Sequence, residues 1–153
     1  MRIFVGGVAA LLAAAAIGCG SGGGDTTEVA LTKAQFISRG DAICQAAQKK
    51  QTQAIDAWHK QTSGEEKSIT DWTAEELGQI YLTVALPPIQ EATDELSSLT
   101  PPAGDAKAEK VVSSMVSAVE AVEEQPLRAI KELPYQGADK LALAYGFKAC
   151  GQF

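Results

Sequence analysis

The stretch Thr32-Lys33-Ala34-Gln35-Phe36-Ile37-Ser38-Arg39-Gly40-Asp41-Ala42-Ile43-Cys44-Gln45-Ala46-Ala47 decides the fold. Its first four residues have the Ser/Thr-x-x-Glu/Gln form of a capping box, in which two side chains satisfy the N–H groups that a helix start leaves without partners. Behind the box, Phe36, Gly40, Ile43, Ala47, Gln51, Ala54 and Trp58 recur at steps of three and four, with Ile37, Cys44 and Ile55 alongside. That is the apolar stripe of an amphipathic helix. Gln45, Gln48, Lys49, Thr52 and Lys60 fall mostly off the stripe, and the helix is expected to fade in Thr62-Ser63-Gly64.

Moving outward toward the C-terminus, the same pattern repeats. Thr73-Ala74-Glu75-Glu76 is a second capping box. Leu77, Ile80, Tyr81 and Val84 give the next helix a first apolar face, and Ile89, Ala92, Leu96 and Leu99 a second. Pro87-Pro88 stands between them, and two missing N–H groups require a kink or a break. The stripe keeps its phase across the pair (Val84, Pro88, Ala92, Leu96), so one bent rod is expected. Thr100-Pro101-Pro102-Ala103-Gly104 is a turn. A third helix, capped by Asp105, places Ala108, Val112, Met115, Val119, Val122, Pro126, Ile130 and Leu133 on one face and bends at Pro126. After a turn at Leu133-Pro134-Tyr135-Gln136-Gly137, a short fourth helix presents Ala138, Leu141, Ala142 and Tyr145 and ends at Gly146. Four amphipathic segments joined by short turns predict an all-α domain over residues 32–153, a four-helix up-down-up-down bundle with Pro-kinked helices. No strand pattern competes, and β-branched runs are scarce.

Outward in the other direction lies a different kind of sequence. Residues 3–17 contain only apolar residues and glycine after the single charge of Arg2. A bilayer crossing needs about 20 apolar residues, so this run is too short to span one. A basic start, a short apolar core and small residues at the end match a secretory signal peptide. The closing residues, Ala16-Ile17-Gly18-Cys19, resemble the lipobox of bacterial lipoprotein precursors, with Ala16 where that family usually has leucine. The resemblance implies cleavage before Cys19 and a diacylglyceryl group on its thiol. Residues 1–18 are then the signal peptide, and residues 19–31 are the lipidated cysteine and a flexible spacer rich in glycine and serine. Two acyl chains anchor firmly, so the expected address is the outer face of the cell membrane. Cleavage removes Arg2 and none of the 19 acidic residues, moving the formal charge from −6 to −7. An acidic domain is repelled by phosphate backbones and anionic headgroups, which disfavours nucleic acid as a partner.

With Cys19 given to lipid, Cys44 and Cys150 remain, an even pair in an oxidising compartment. Two buried free thiols are the other reading. A continuous last helix at roughly 1.5 Å per residue leaves Cys150 about 12 Å short of Cys44. An extended run from Gly146 at roughly 3.3 Å per residue recovers about 9 Å. A disulfide therefore predicts a non-helical tail tied to the first helix. The domain as a whole is similar to small uncharacterised helical lipoproteins of high-GC Gram-positive bacteria. The likeness is carried by Asp41-Ala42-Ile43-Cys44, Leu96-x-x-Leu99-x-Pro101-Pro102 and Tyr145-Gly146-Phe147-Lys148-Ala149-Cys150-Gly151. It implies a fold and an address, and no activity.

Chemistry is sparse. His59 is the one histidine; Asp56-x-x-His59 offers two metal-capable groups on one helix face, but di-metal carboxylate bundles need a second Glu-x-x-His. No nucleophile elbow or phosphate loop is present. Glu75/Glu76, Glu91/Asp94/Glu95 and Glu120/Glu123/Glu124 read as solvated faces. No metal, cofactor or catalytic residue is assigned. Trp58 and Trp72 flank the first turn, either as a plug capping that end of the core or as an aromatic contact patch. The expected function is a non-enzymatic interaction module that binds an envelope protein or polymer. The alternative is a carrier holding an apolar small molecule between its helices. An enclosed cavity favours the carrier; a solid core favours the module.

Overall fold

A computed structural model describes residues 30–62, 72–127, 132 and 134–153. The leader, Cys19 and the glycine-rich spacer lie outside the described residues. The elements are α1 (Lys33–Thr62), α2 (Ala74–Ile80), a π-helical turn (Tyr81–Ala85), α3 (Pro87–Ser98), α4 (Ala106–Glu124), α5 (Gln136–Tyr145) and a 3₁₀ turn (Ala149–Gly151). The chain is all-helical, with no strand among the described residues.

The expected helix starts form by the expected chemistry. Gln35 N–H donates to Thr32 Oγ1 at 3.3 Å, and Thr32 N–H donates to Gln35 Oε1 at 3.0 Å. Thr73 and Glu76 repeat the exchange at 2.8 and 3.2 Å. Asp105 caps α4, its Oδ1 accepting from Lys107 and Ala108 N–H at 3.1 and 3.3 Å. Gly146 ends α5 at φ +123°, where a side chain is strained. Phe147 N–H then returns to Ala142 O at 3.0 Å and closes the end in the Schellman manner.

Three local expectations are corrected. The bend at Pro126 is an end: α4 stops at Glu124, and Gln125 leaves helical space at φ −138°, ψ 66°. A proline ring disfavours the α region for the residue before it, so Gln125 is pushed out. Ile130 and Leu133, expected farther along that face, lie outside the described residues. Second, the Pro87-Pro88 bend is taken up by the π turn, whose Leu86 N–H reaches back to Tyr81 O at 2.9 Å. A π turn holds an extra residue, so the buried stripe slips from Val84 to Ala85 and Leu86 before it resumes at Pro88, Ala92 and Leu96. Third, α5 begins two residues earlier than Ala138, at Gln136.

Packing follows a circuit: α1 on α3 and the π turn, α3 on α4, α4 on α5, and α5 on the 3₁₀ turn, which returns to α1. Early residues of α1 meet late residues of the next arm, and late residues of α1 meet early ones. Gly40 lies against Leu96, Lys50 Nζ reaches Glu91 Oε1, and Gln51 Nε2 reaches Ala85 O. The largest fully buried side chains are Phe36, Leu86, Leu96, Val122, Cys44 and Cys150. Each large apolar side chain withdrawn from water contributes roughly 1.5–3 kcal/mol. No described helix is long and apolar enough to cross a membrane.

The tail closes the circuit. Cys44 and Cys150 form a disulfide, with Cα atoms 5.1 Å apart across a sequence separation of 106. The tail leaves α-helix at Gly146, as expected, and then winds into the 3₁₀ turn instead of running extended. Asp41, one helical turn before Cys44, holds that turn's N-terminus. Its Oδ1 accepts from Lys148, Ala149 and Cys150 N–H at 2.9, 2.8 and 3.4 Å. Gln48 Nε2 donates to Ala149 O and Gln152 O at 2.9 and 3.3 Å.

Candidate functional site

Two of the surface clefts are lined wholly by described residues. One, of about 520 Å³, lies between α2 and the end of α4, lined by Glu75, Gly78, Gln79, Glu124, Gln125, Pro126 and Leu127. The other, of about 460 Å³, brings five elements together: Gln51 of α1, Tyr81 of the π turn, Ile89 of α3, Pro134 to Asp139 around the start of α5, and Phe153 of the tail. Below it lies a void of about 10 Å³ that shares Ile89, Tyr135, Asp139 and Phe153. That is the size of one water at most.

The second cleft is the more chemically structured. The Tyr81 and Tyr135 hydroxyl oxygens stand 3.3 Å apart, a long pair for O–H···O. The Phe153 ring covers Tyr135 at 6.5 Å between centroids. Asp139 projects from α5 with its Oδ1 buried and without a hydrogen-bond partner among the described residues. Burial pushes the Asp139 carboxyl up, and the Phe153 backbone N–H pulls it part of the way back. The Tyr135 phenol is raised well above its ordinary 10.0 by burial first, then by the Tyr81 hydroxyl and by the charges of Glu123 and Asp139. Tyr81 is raised by burial, against the opposing pull of Tyr135. Thr93 is buried under the cleft, its hydroxyl donating to Ile89 O at 2.8 Å.

Gln51 has a structural task as well. Prolines at 87 and 88 contribute no N–H, and Ile89 N–H goes to Leu86 O at 2.9 Å. The buried Ala85 carbonyl is thereby left without its helical donor. Gln51 Nε2 fills the gap at 3.1 Å.

A second polar cluster lies at the other end of α5. Tyr145 O–H donates to Asp105 Oδ2 at 2.7 Å, and Lys33 Nζ sits 4.3 Å over its ring. The hydrogen bond from Tyr145 is the main cause that lowers the Asp105 carboxyl. Burial, then Asp105, pushes the Tyr145 phenol up to about 12.

The residues singled out from sequence are placed as follows. Cys44 and Cys150 are bonded; Cys19 lies outside the described residues. Trp58 and Trp72 meet edge to face at 5.3 Å, each half-buried, and the His59 ring lies on Trp58 at 4.9 Å. Asp56 and His59 are exposed. Glu75, Glu91, Asp94, Glu95, Glu120, Glu123 and Glu124 face solvent, and Glu76 is half-buried within its capping box. Among the described residues no three His, Cys, Asp or Glu side chains are gathered to hold a metal.

Sequence reasoning did not find the Tyr81–Tyr135–Asp139 cleft, because residues 54 positions apart meet only where the turn before α5 comes beside the π turn. The Asp41 clamp left a trace: Asp41 and Cys44 stand three apart on one helix face. No family model, curated protein or solved structure matches this chain.

Proposed function

We propose that this chain is an exported lipoprotein, held to the outer face of the cell membrane by acyl chains on Cys19. Its helical domain binds another envelope protein or polymer without catalysing a reaction. The observation that carries the reading is the Cys44–Cys150 disulfide. A bond of this kind belongs to an oxidising compartment. Of three cysteines it leaves Cys19, which stands at the end of the apolar leader. The likeness of the leader to a lipobox, and of the domain to small helical lipoproteins, supports the same address.

In this reading the circuit of helices is an up-down-up-down four-helix bundle, with α2 and α3 as one bent arm. The opposed order of contacts from α1 to α3 supports it, as does Asp105 at the start of α4 meeting Tyr145 at the end of α5. Trp58 and Trp72 form the contact patch; their half-buried pairing leaves aromatic surface at that end of the domain. A carrier for an apolar molecule is the second reading. The two large described clefts are both open to solvent, which favours the module over the carrier.

Detergent-phase partitioning and a cellular phenotype test the proposal together. Wild type is expected in the detergent phase, and Cys19→Ala in the aqueous phase with loss of phenotype. His59→Ala is expected to keep both anchor and phenotype. A freely soluble wild type overturns the anchor, and a full loss of phenotype in a folded, anchored His59→Ala overturns the non-catalytic reading.

A further inference from the structure

The Cys44–Cys150 bond is closed to solvent on both sides. Each cysteine is 0% exposed, and Cys150 Sγ lies 3.2 Å from Gly40 O on the α1 backbone. A disulfide is broken by a thiolate that attacks one of its sulfurs, so access governs the rate. Some part of the fold must move before a reductant can reach the bond. Cys44 belongs to a helix of 30 residues, and Cys150 to a 3₁₀ turn of three. The turn is the smaller unit, and its holds are countable. Asp41 Oδ1 accepts from Lys148, Ala149 and Cys150 N–H at 2.9, 2.8 and 3.4 Å, and Oδ2 from Lys148 N–H at 3.1 Å. Gln48 Nε2 donates to Ala149 O and Gln152 O. Leu143 of α5 lies over Gly151 and is itself 51% exposed.

We propose that residues 148–151 are a redox-gated strap with Asp41 as its catch: the turn frays from α1 while the helices stay folded, and only then does a thiol reach the Cys44–Cys150 bond. A hydrogen bond to a carboxylate is roughly twice as strong as one between neutral groups. Asp41 receives three successive N–H groups in that way, whereas Gln48 holds by neutral amide bonds. Fraying of the turn leaves the packing of α1 on α3, α3 on α4 and α4 on α5 in place. Opening on this scale costs less than global unfolding. The chemistry is exchange with a dithiol. One thiolate of the dithiol bonds to a sulfur of the pair, and the other cysteine leaves as a thiolate. The second thiolate of the dithiol then displaces the attacked cysteine. The dithiol ends as its own disulfide, and its two protons pass to Cys44 and Cys150.

Neither Cys19 nor the binding reading enters this inference. The test treats the full chain in detergent with excess dithiothreitol under native conditions and blocks thiols with iodoacetamide at intervals. Labels are read on the Cys44 and Cys150 peptides, apart from the state of Cys19. Asp41→Ala is expected to be reduced at least about tenfold faster than wild type, the loss of one hydrogen bond to a charged group. Asp41→Asn, which keeps an acceptor oxygen, is expected to recover part of the slow rate. Gln51→Ala weakens the fold at the π turn without touching the strap, and its reduction is expected to match wild type. An unchanged rate in folded Asp41→Ala overturns the proposal. So does a Gln51→Ala reduced as fast as Asp41→Ala at equal loss of stability, since the bond is then reached by global unfolding. Should Asp41→Ala fail to fold, Asp41→Asn and Gln48→Ala each remove part of the hold and are expected to be reduced faster than wild type; unchanged rates in both overturn the strap.

Discussion

Gly40 has no side chain, and Phe147 uses the space. A Cβ at position 40 would stand 2.4 Å from Phe147 Cε1 and 3.1 Å from Leu96 Cδ2. The Phe147 ring cannot retreat, being 2% exposed and set between Phe36 and Tyr145 at 5.7 and 5.6 Å. Gly40→Ala gains about 1 kcal/mol of helix propensity, but overpacking of this kind costs roughly 1–3 kcal/mol. A net destabilisation of up to about 2 kcal/mol is expected in urea melts with the disulfide intact; a more stable variant would show that the tail yields. The stripe marked Gly40 as core-facing, yet periodicity cannot distinguish a glycine kept for its missing Cβ from one merely tolerated. Tyr145 was legible as a core residue in the same way, and its bond to Asp105 was not, since that bond depends on where α5 docks. The phenol stands at about 12 against an ordinary 10.0, so the folded state resists deprotonation. Its contribution is whole below pH 10 and is lost as the pH rises through 12. Tyr145→Phe should therefore flatten part of the decline in stability across that window. An unchanged slope would mean that the folded state does not hold this proton.

At the scale of elements, the arm from α2 through the π turn to α3 shows how two prolines are absorbed. Pro87-Pro88 was legible as an interruption, because the missing N–H groups are a property of the residues themselves. The geometry that absorbs it was not legible. A bend, a break and a π turn all satisfy the same local chemistry, and the choice falls to packing against α1. Gln51 is the mark of that choice, since it lies outside the arm and supplies the donor that Ala85 O lacks. Gln51→Ala strands a carbonyl on a residue only 7% exposed. The expected loss is about 1–3 kcal/mol in chemical denaturation, larger than the few tenths typical of a surface glutamine. A loss within that smaller range would mean that water or a shifted π turn takes over the carbonyl. Pro126 had the same signal in the sequence and a different outcome: Gln125 leaves helical space and α4 ends at Glu124.

For the whole molecule, the tail is the closure. The helical circuit passes from α5 back to α1 through a three-residue 3₁₀ turn, and the disulfide, Asp41 and Gln48 all act on that segment. A bond across 106 positions constrains the unfolded chain strongly, with an upper figure of about 4.7 kcal/mol in the chain-entropy model. Reduction is expected to remove about 2–4 kcal/mol of stability, and a reduced protein that melts where the oxidised one does would contradict that. The helical class was readable from periodicity, and the cysteine pairing from counting once the likeness of the leader to a lipobox set Cys19 aside. The cleft was not, because it is assembled from single residues of five elements and no spacing announces it. The exported, acylated state is the central claim, and intact mass of the protein extracted from its own membrane tests it most directly. The expected species lacks residues 1–18, carries a diacylglyceryl group on Cys19 and has Cys44 joined to Cys150. A chain that retains residues 1–18 with an unmodified Cys19, or one in which Cys19 is disulfide-bonded to Cys44 or Cys150, would contradict it.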